Sequence, residues 1–160
     1  MAVVHVAYIG IGANLGDACA MVIASMDSLD RLARCRITRR SSLYRSAPFE
    51  ASGPDFINAV VALETTLDPD TLLDALQQLE QQAGRERPYR NAPRTLDLDL
   101  LLFDTVVRHT PTLTLPHPRL SERAFVIVPL AEIAPSLVSP EQLVQVAKQV
   151  IERLGLPGVS

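Results

Sequence analysis

Residues 93–103, PRTLDLDLLLF, set Asp97 and Asp99 two positions apart at the head of a leucine run. The stretch alternates as a strand does, and residues two apart in a strand point to the same face. Both carboxylates then project side by side while the alternate leucines face a core. A charge in such a place is costly unless it is solvated, paired or bound to a metal. The fold must therefore cover one face of this strand and leave the other wet or filled by something the two acids hold jointly. Taken alone, D-x-D leaves both readings open. It is a solvated strand face, or a pair of hard oxygen donors suited to Mg²⁺, which keeps waters and completes its shell with substrate phosphates.

The neighbouring elements narrow the architecture. Residues 3–11, VVHVAYIGI, are nearly all apolar, which predicts a strand central in its sheet. Asp17 is placed to cap a helix over residues 18–33, with Val22, Met26, Leu29 and Ala33 on one face. Residues 36–46, RITRRSSLYRS, read as one strand with a wet face, and residues 56–65, FINAVVALET, as a further strand. Asp68 caps, Pro69 opens and Gly84 ends a second helix. After the D-x-D strand come short extended pieces and a helix near residues 121–131. A last helix is introduced by SPEQ, with Ser139 as N-cap and Gln142 completing a capping box. Leu143, Val146, Ala147, Val150, Ile151 and Leu154 give that helix an apolar stripe. Strand, helix, strand, strand, helix, strand is the order of a ferredoxin-like α+β sandwich with a mainly antiparallel sheet, helices packed on it and a C-terminal helical extension. An α/β fold is the alternative.

A length of 160 residues suits a single domain spanning 1–160 with a substantial core. The formal net charge of −3 gives no global reason to expect nucleic acid or membrane as a partner, so any basic site must be local. No apolar stretch approaches the roughly 20 residues of a membrane span, and the N-terminus lacks the basic front of a signal peptide, which predicts a cytoplasmic protein. Cys19 and Cys35 are isolated and read as free thiols. His5, His109 and His117 are too scattered for a zinc site.

Several constellations could carry chemistry. GIGANLG spaces Gly10, Gly12 and Gly16 one residue too widely for a dinucleotide fingerprint, and no Walker-type sequence is present, so these read as turn glycines. Arg85, Arg87, Arg90 and Arg94 lie just upstream of the acid pair. They are solvated surface charges or guanidinium forks for phosphate. Glu80 falls inside the apolar arc of the second helix, with Gln77 one turn before it. Its carboxylate needs a partner, either an internal ion pair or a ligand. Asn58 interrupts an apolar strand on the same face as Phe56. It is satisfied by backbone, or it reads the edge of a flat heterocycle that the aromatic ring stacks on. His117 sits between two prolines in LPHPRLSERAFVIVPL, with Arg123 and Phe125 beyond it and Thr114 before it.

Together, YIGIGANLGD, DFINAVVALET, PRTLDLDLLLF and LPHPRLSERAFVIVPL closely resemble the 6-hydroxymethyl-7,8-dihydropterin pyrophosphokinase family of folate biosynthesis, collinearly over residues 6–135. The resemblance implies a ferredoxin-like fold and transfer of the β,γ-pyrophosphoryl unit of MgATP to a pterin hydroxymethyl group, releasing AMP. It implies that Asp97 and Asp99 are ligands of two Mg²⁺ ions, and that Arg85 and Arg94 stabilise charge during transfer. By position, Gln77, Glu80, Arg87, Arg94, Leu100, Thr114, His117 and Arg123 fall where the family binds ATP. Ser46, Ala47, Phe49, Phe56, Asn58, Asn91 and Phe125 fall on the pterin pocket, with Asn91 standing where members often carry an aromatic residue. The implied partners are small molecules only, and the implied state is a monomer. Two rivals stand beside this reading. A D-x-D nucleotidyltransferase would release pyrophosphate, but its Gly-Ser helix motif is missing. A non-catalytic ferredoxin-like binding module would carry the two acids on a merely wet face.

Overall fold

Five strands in a single sheet run in the order β5-β1-β4-β3-β8, with β2 also paired to β4, in a computed structural model that describes residues 3–14, 16–47, 54–84 and 96–155. The elements in chain order are β1 (His5–Ala13), α1 (Ala18–Asp30), β2 (Cys35–Arg40), β3 (Leu43–Ser46), β4 (Phe56–Thr65), α2 (Pro69–Gly84) and β5 (Asp97–Phe103). A small hairpin of β6 (Arg108–His109) and β7 (Thr114–Leu115) follows, then α3 (Ala124–Ile133), α4 (Pro140–Val146) and β8 (Ile151–Gly155). Every strand pairing is antiparallel. The split crossovers through α1 and α2 produce the expected ferredoxin-like arrangement, with β1 inside the sheet between β4 and β5.

The pleat divides the sheet into two faces. Ile9, Ile11, Ile57, Ala59, Val61, Leu98 and Leu100 point to one side, where Val22, Met26 and Leu29 of α1 and Leu72 and Leu76 of α2 complete the larger core. Val60, Ala62 and Leu101 point to the other, under Val126, Ile127, Leu130 and Ile133 of α3 and Val146 of α4. A β-bulge fits both demands onto β5. The register with β1 jumps from Ile9↔Leu100 to Tyr8↔Leu102, so Leu101 and Leu102 both serve the second face. The helix caps follow the sequence. Asp17 accepts from the N–H of Ala20 (3.0 Å) and Asp68 from that of Thr71 (2.8 Å), and Ser139 with Gln142 forms the capping box.

Four expectations are corrected. Helix α1 stops at Asp30, leaving Ala33 exposed outside it. Arg34 there takes a left-handed φ of 67° and its guanidinium Nε bonds Thr66 Oγ1 (2.8 Å), which turns the chain into β2. Residues 36–46 form two strands, not one. At the break the Ser41 hydroxyl accepts from the N–H of Val60 (2.9 Å), and the N–H of Ser42 leaves the ladder for the Glu132 carboxylate (2.9 Å). Gly10 and Gly12 belong to β1 rather than to a turn; only Gly16, at φ 59°, serves the turn. The last helix ends at Val146, and residues 151–155 pair as a strand with β3. Helical spacing at Val150, Ile151 and Leu154 loses to the free backbone edge of β3, whose ladder bonds are available only once the sheet has formed. The extension is thus a helix followed by an edge strand.

Candidate active site

The site is built on the sheet face under α3, from the residues that alternate with the large core. Asp97 on β5 stands opposite Gly12 on β1, and Gly12 opposite Asn58 on β4. One rung along, Asp99 stands opposite Gly10. On β3, Ser46 pairs with Phe56 and Tyr44 with Asn58. Asp97, Asp99, both glycines, Asn58, Phe56, Ser46 and Ala47 line one side of a cavity of about 290 Å³. Arg123, Phe125 and Val126 from the start of α3 line the other, joined by Arg119, Glu122 and Gln149.

The glycines make the floor. A Cβ at Gly12 would lie 3.2 Å from Asn58 Oδ1, and one at Gly10 would lie 3.5 Å from Leu101 Cδ1. Their bare backbone separates the acid pair from the amide by two strand spacings, roughly 10 Å. A flat ring at the Asn58 end and a charged group at the Asp97–Asp99 end therefore fit side by side.

At the ring end, Asn58 is only 4% exposed and its Nδ2 donates to Ser46 Oγ (2.8 Å). That bond fixes the amide with Oδ1 on the Gly12 side. The partner is a side chain, not the backbone that the sequence left as one alternative. Phe125 faces the same space, and the Arg123 guanidinium lies 5.3 Å from its ring centroid, a cation–π contact. At the acid end, both aspartates are half-buried. Two carboxylates side by side over open backbone fit a hard divalent cation that takes its other ligands from water and phosphate.

His117 borders the acid end. Its N–H donates to Leu101 O (2.9 Å), tying the Pro-His-Pro segment to β5 beside the bulge, and its Nδ1 accepts from the N–H of Arg119 (3.2 Å). Burial pushes its pKa down from the usual histidine value; Asp99 pulls the other way, and Arg123 and Arg119 reinforce the fall.

Other sequence candidates lie elsewhere. Gln77 is exposed on α2, and Leu100 is buried in the opposite core. Glu80 of α2 accepts the N–H of Leu98 (2.9 Å), so this carboxylate inside an apolar arc secures strand β5. Thr114 sits on β7 opposite His109. Phe49, Arg85, Arg87, Asn91 and Arg94 fall outside the described residues. Sequence reasoning missed Gly10 and Gly12 as floor residues, although their alternation with Ile9 and Ile11 is a period-2 signal. It also missed Arg119, Glu122 and Gln149, the last of which comes from a segment with no local motif.

Residues 8–135 match the family described as 7,8-dihydro-6-hydroxymethylpterin-pyrophosphokinase. The chain is 44% identical over 135 residues to a 2-amino-4-hydroxy-6-hydroxymethyldihydropteridine pyrophosphokinase of Pseudomonas aeruginosa, covering 84% of this chain and 83% of the relative. It is 39% identical over 154 residues to a protein of the same name from Methylorubrum extorquens, covering 96% and 98%. It is also 36% identical over 136 residues to the folic acid synthesis protein fol1 of Schizosaccharomyces pombe, covering 84% of this chain and 19% of that longer protein.

Proposed function

The chain belongs to the 7,8-dihydro-6-hydroxymethylpterin-pyrophosphokinase family, and from that premise we propose how its residues divide the work of moving pyrophosphate from ATP to 6-hydroxymethyl-7,8-dihydropterin in folate biosynthesis. The observation that carries the division is the row Asp97–Gly12–Asn58, which sets a carboxylate pair and a buried amide at the two ends of one cavity.

The pterin lies at the Asn58 end. Asn58 and Ser46 read its polar edge, Phe56 and Phe125 enclose the ring, and Ala47, Phe49 and Asn91 complete the pocket. Its hydroxymethyl group then points along the glycine floor toward the acids. Asp97 and Asp99 would hold Mg²⁺, for which we propose two ions, and when bound these would supply charge neutralisation at the ATP phosphate oxygens. Arg123 and His117 approach those oxygens from the α3 side, and Arg85, Arg87 and Arg94 add positive charge from the segment before β5. Gln77, Glu80, Leu100 and Thr114 lie outside that cavity and enter the proposal as ATP contacts only by their position in the family. The pterin hydroxyl attacks the β-phosphorus in line; its oxygen forms the new O–P bond and its proton passes to solvent, while the bond from the β-phosphorus to the α,β-bridging oxygen breaks and AMP leaves carrying that oxygen. Transfers of this kind depend mainly on positioning and electrostatics. The chain's share is to hold the two reacting groups at a fixed separation over bare backbone.

The reading includes a single cytoplasmic domain that works as a monomer on small molecules, without nucleic acid or membrane. Among the described residues no helix is long and apolar enough to cross a membrane. The test is to incubate the protein with MgATP and reduced hydroxymethylpterin and separate the nucleotides. AMP that appears only with pterin present is the expected product; ADP, or free pyrophosphate, sinks the reading.

A further inference from the structure

Helix α3 delivers Arg123 and Phe125 to the cavity, yet its N-terminus carries no cap of its own. Arg123 occupies the N-cap position in extended conformation (φ −122°, ψ 117°), and its side chain makes no capping bond. An uncapped first turn leaves backbone donors unsatisfied and the direction of the capping residue poorly held. The missing partner comes from the far end of the chain. Gln149 Oε1 accepts the N–H of Ala124 (2.9 Å), and Gln149 Nε2 donates to the carbonyl of Glu122 (2.7 Å). One amide thus grips the backbone on both sides of Arg123, and the same residue lines the cavity.

The rest of the tail brings Gln149 to this place. Within α4, Gln142 Nε2 donates to Ser121 Oγ (2.9 Å), so the tail, through Gln142 and Gln149, holds the segment before α3 at two points. Beyond Gln149, β8 pairs with β3, and Arg153 reaches Ser42 Oγ (3.0 Å) and Glu132 (3.2 Å). Gln142, Gln149 and Arg153 lie past residue 135, the last residue matched to the family description.

We propose that Gln149 is a positioning residue for pyrophosphoryl transfer, clamping the backbone around Arg123 so that the guanidinium is aimed at the ATP phosphates and Phe125 at the pterin. This rests on the placement of Arg123 and Phe125 in the substrate site. The tail is accordingly a wall of the active site rather than an appendage.

The test measures KM for MgATP and for the pterin, with kcat, in Gln149→Met, Gln149→Glu, Arg123→Ala and the Arg123→Ala/Gln149→Met double variant. Gln149→Met keeps the length and loses both bonds; a rise of about tenfold in both KM values is expected, from one lost cap and one lost hydrogen bond. Gln149→Glu keeps the acceptor for Ala124 and should fall between wild type and Gln149→Met. In the Arg123→Ala background the Gln149→Met change should add nothing to KM for MgATP, because a clamp without its client has nothing left to aim. Ser139→Ala, which weakens α4 without touching the clamp, should lower the melting temperature and leave both KM values alone. Gln149→Met that lowers only the melting temperature, or raises KM for MgATP equally with and without Arg123, overturns the clamp. Arg123→Ala with wild-type KM for MgATP overturns the placement of Arg123 itself, and the clamp falls with it.

Discussion

The two faces of the central sheet are made by the same strands and have opposite characters. Toward α1 and α2, β1, β4 and β5 present Ile9, Ile11, Ile57, Ala59, Leu98 and Leu100, all buried in one apolar core. Toward α3 the same strands present Gly10, Gly12, Asn58, Asp97 and Asp99, which line the cavity. Residues one apart in sequence are separated by the thickness of the sheet. Stability and chemistry are therefore encoded in alternate letters, and substitutions at adjacent positions should separate them.

Asp97 and Leu98 make the sharpest pair. Asp97→Ala should reduce kcat by about a thousandfold or more, with the far-ultraviolet circular dichroism and unfolding midpoint close to wild type. Near-normal turnover in that variant would return the two acids to the status of a wet strand face. Leu98→Ala should do the reverse, costing about 2–5 kcal/mol in urea unfolding while the folded fraction keeps its KM values. Ile11 and Gly12 repeat the contrast more gently. Ile11→Ala should lower stability by about 2 kcal/mol or more. Gly12→Ala pushes a methyl to 3.2 Å from Asn58 Oδ1 and should raise KM for the pterin several-fold while changing KM for MgATP little. Equal effects on both substrates would break the division of the cavity into a ring end and a phosphate end.

The smallest effect concerns how the cavity face is held. Glu132 of α3 accepts from Tyr44 OH (2.7 Å), from the N–H of Ser42 (2.9 Å) and from Ser42 Oγ (2.9 Å), with Arg153 at 3.2 Å. Burial works to raise the Glu132 pKa, but the Tyr44 and Ser42 bonds and the Arg153 charge outweigh it and hold the carboxyl below its usual 4.5. Burial, then the bond to Glu132, raise the Tyr44 phenol well above its ordinary 10, so it stays a donor at any working pH. A carboxyl whose folded pKa is depressed adds stability that is fully present above its unfolded value and is lost as pH falls through the folded one. Urea midpoints should accordingly drop more between pH 7 and pH 4 in the wild type than in Glu132→Gln, which should start lower at pH 7. Parallel declines would show that the network adds no pH-dependent stability.

Much of this was legible beforehand because it is local. Periodicity placed β1, α1, β4, α2 and β5, and short-range side-chain chemistry placed the caps at Asp17, Asp68 and Ser139. The same period-2 rule put Asp97 beside Asp99, and Asn58 on the face of Phe56. What failed needed distant partners. Ser41 and Ser42 read as interior strand residues until Val60 and Glu132 are seen to take their bonds. The bond from the N–H of Leu98 to Glu80 is likewise invisible in the sequence, because it joins α2 to β5. The stripe through Leu154 scored as helix because no local rule registers the open edge of β3.

The sequence by itself determined the ferredoxin-like order and the acid pair on one strand face, since these follow from spacing along a few residues, and its motifs carry the resemblance to the family. Only the tertiary structure decided that two strand glycines form the cavity floor, that Glu80 secures β5, and that Gln149 grips the backbone around Arg123. Those outcomes depend on hydrogen bonds and close approaches between segments many residues apart, which exist only after the sheet has assembled and its edges, caps and cavities compete for partners.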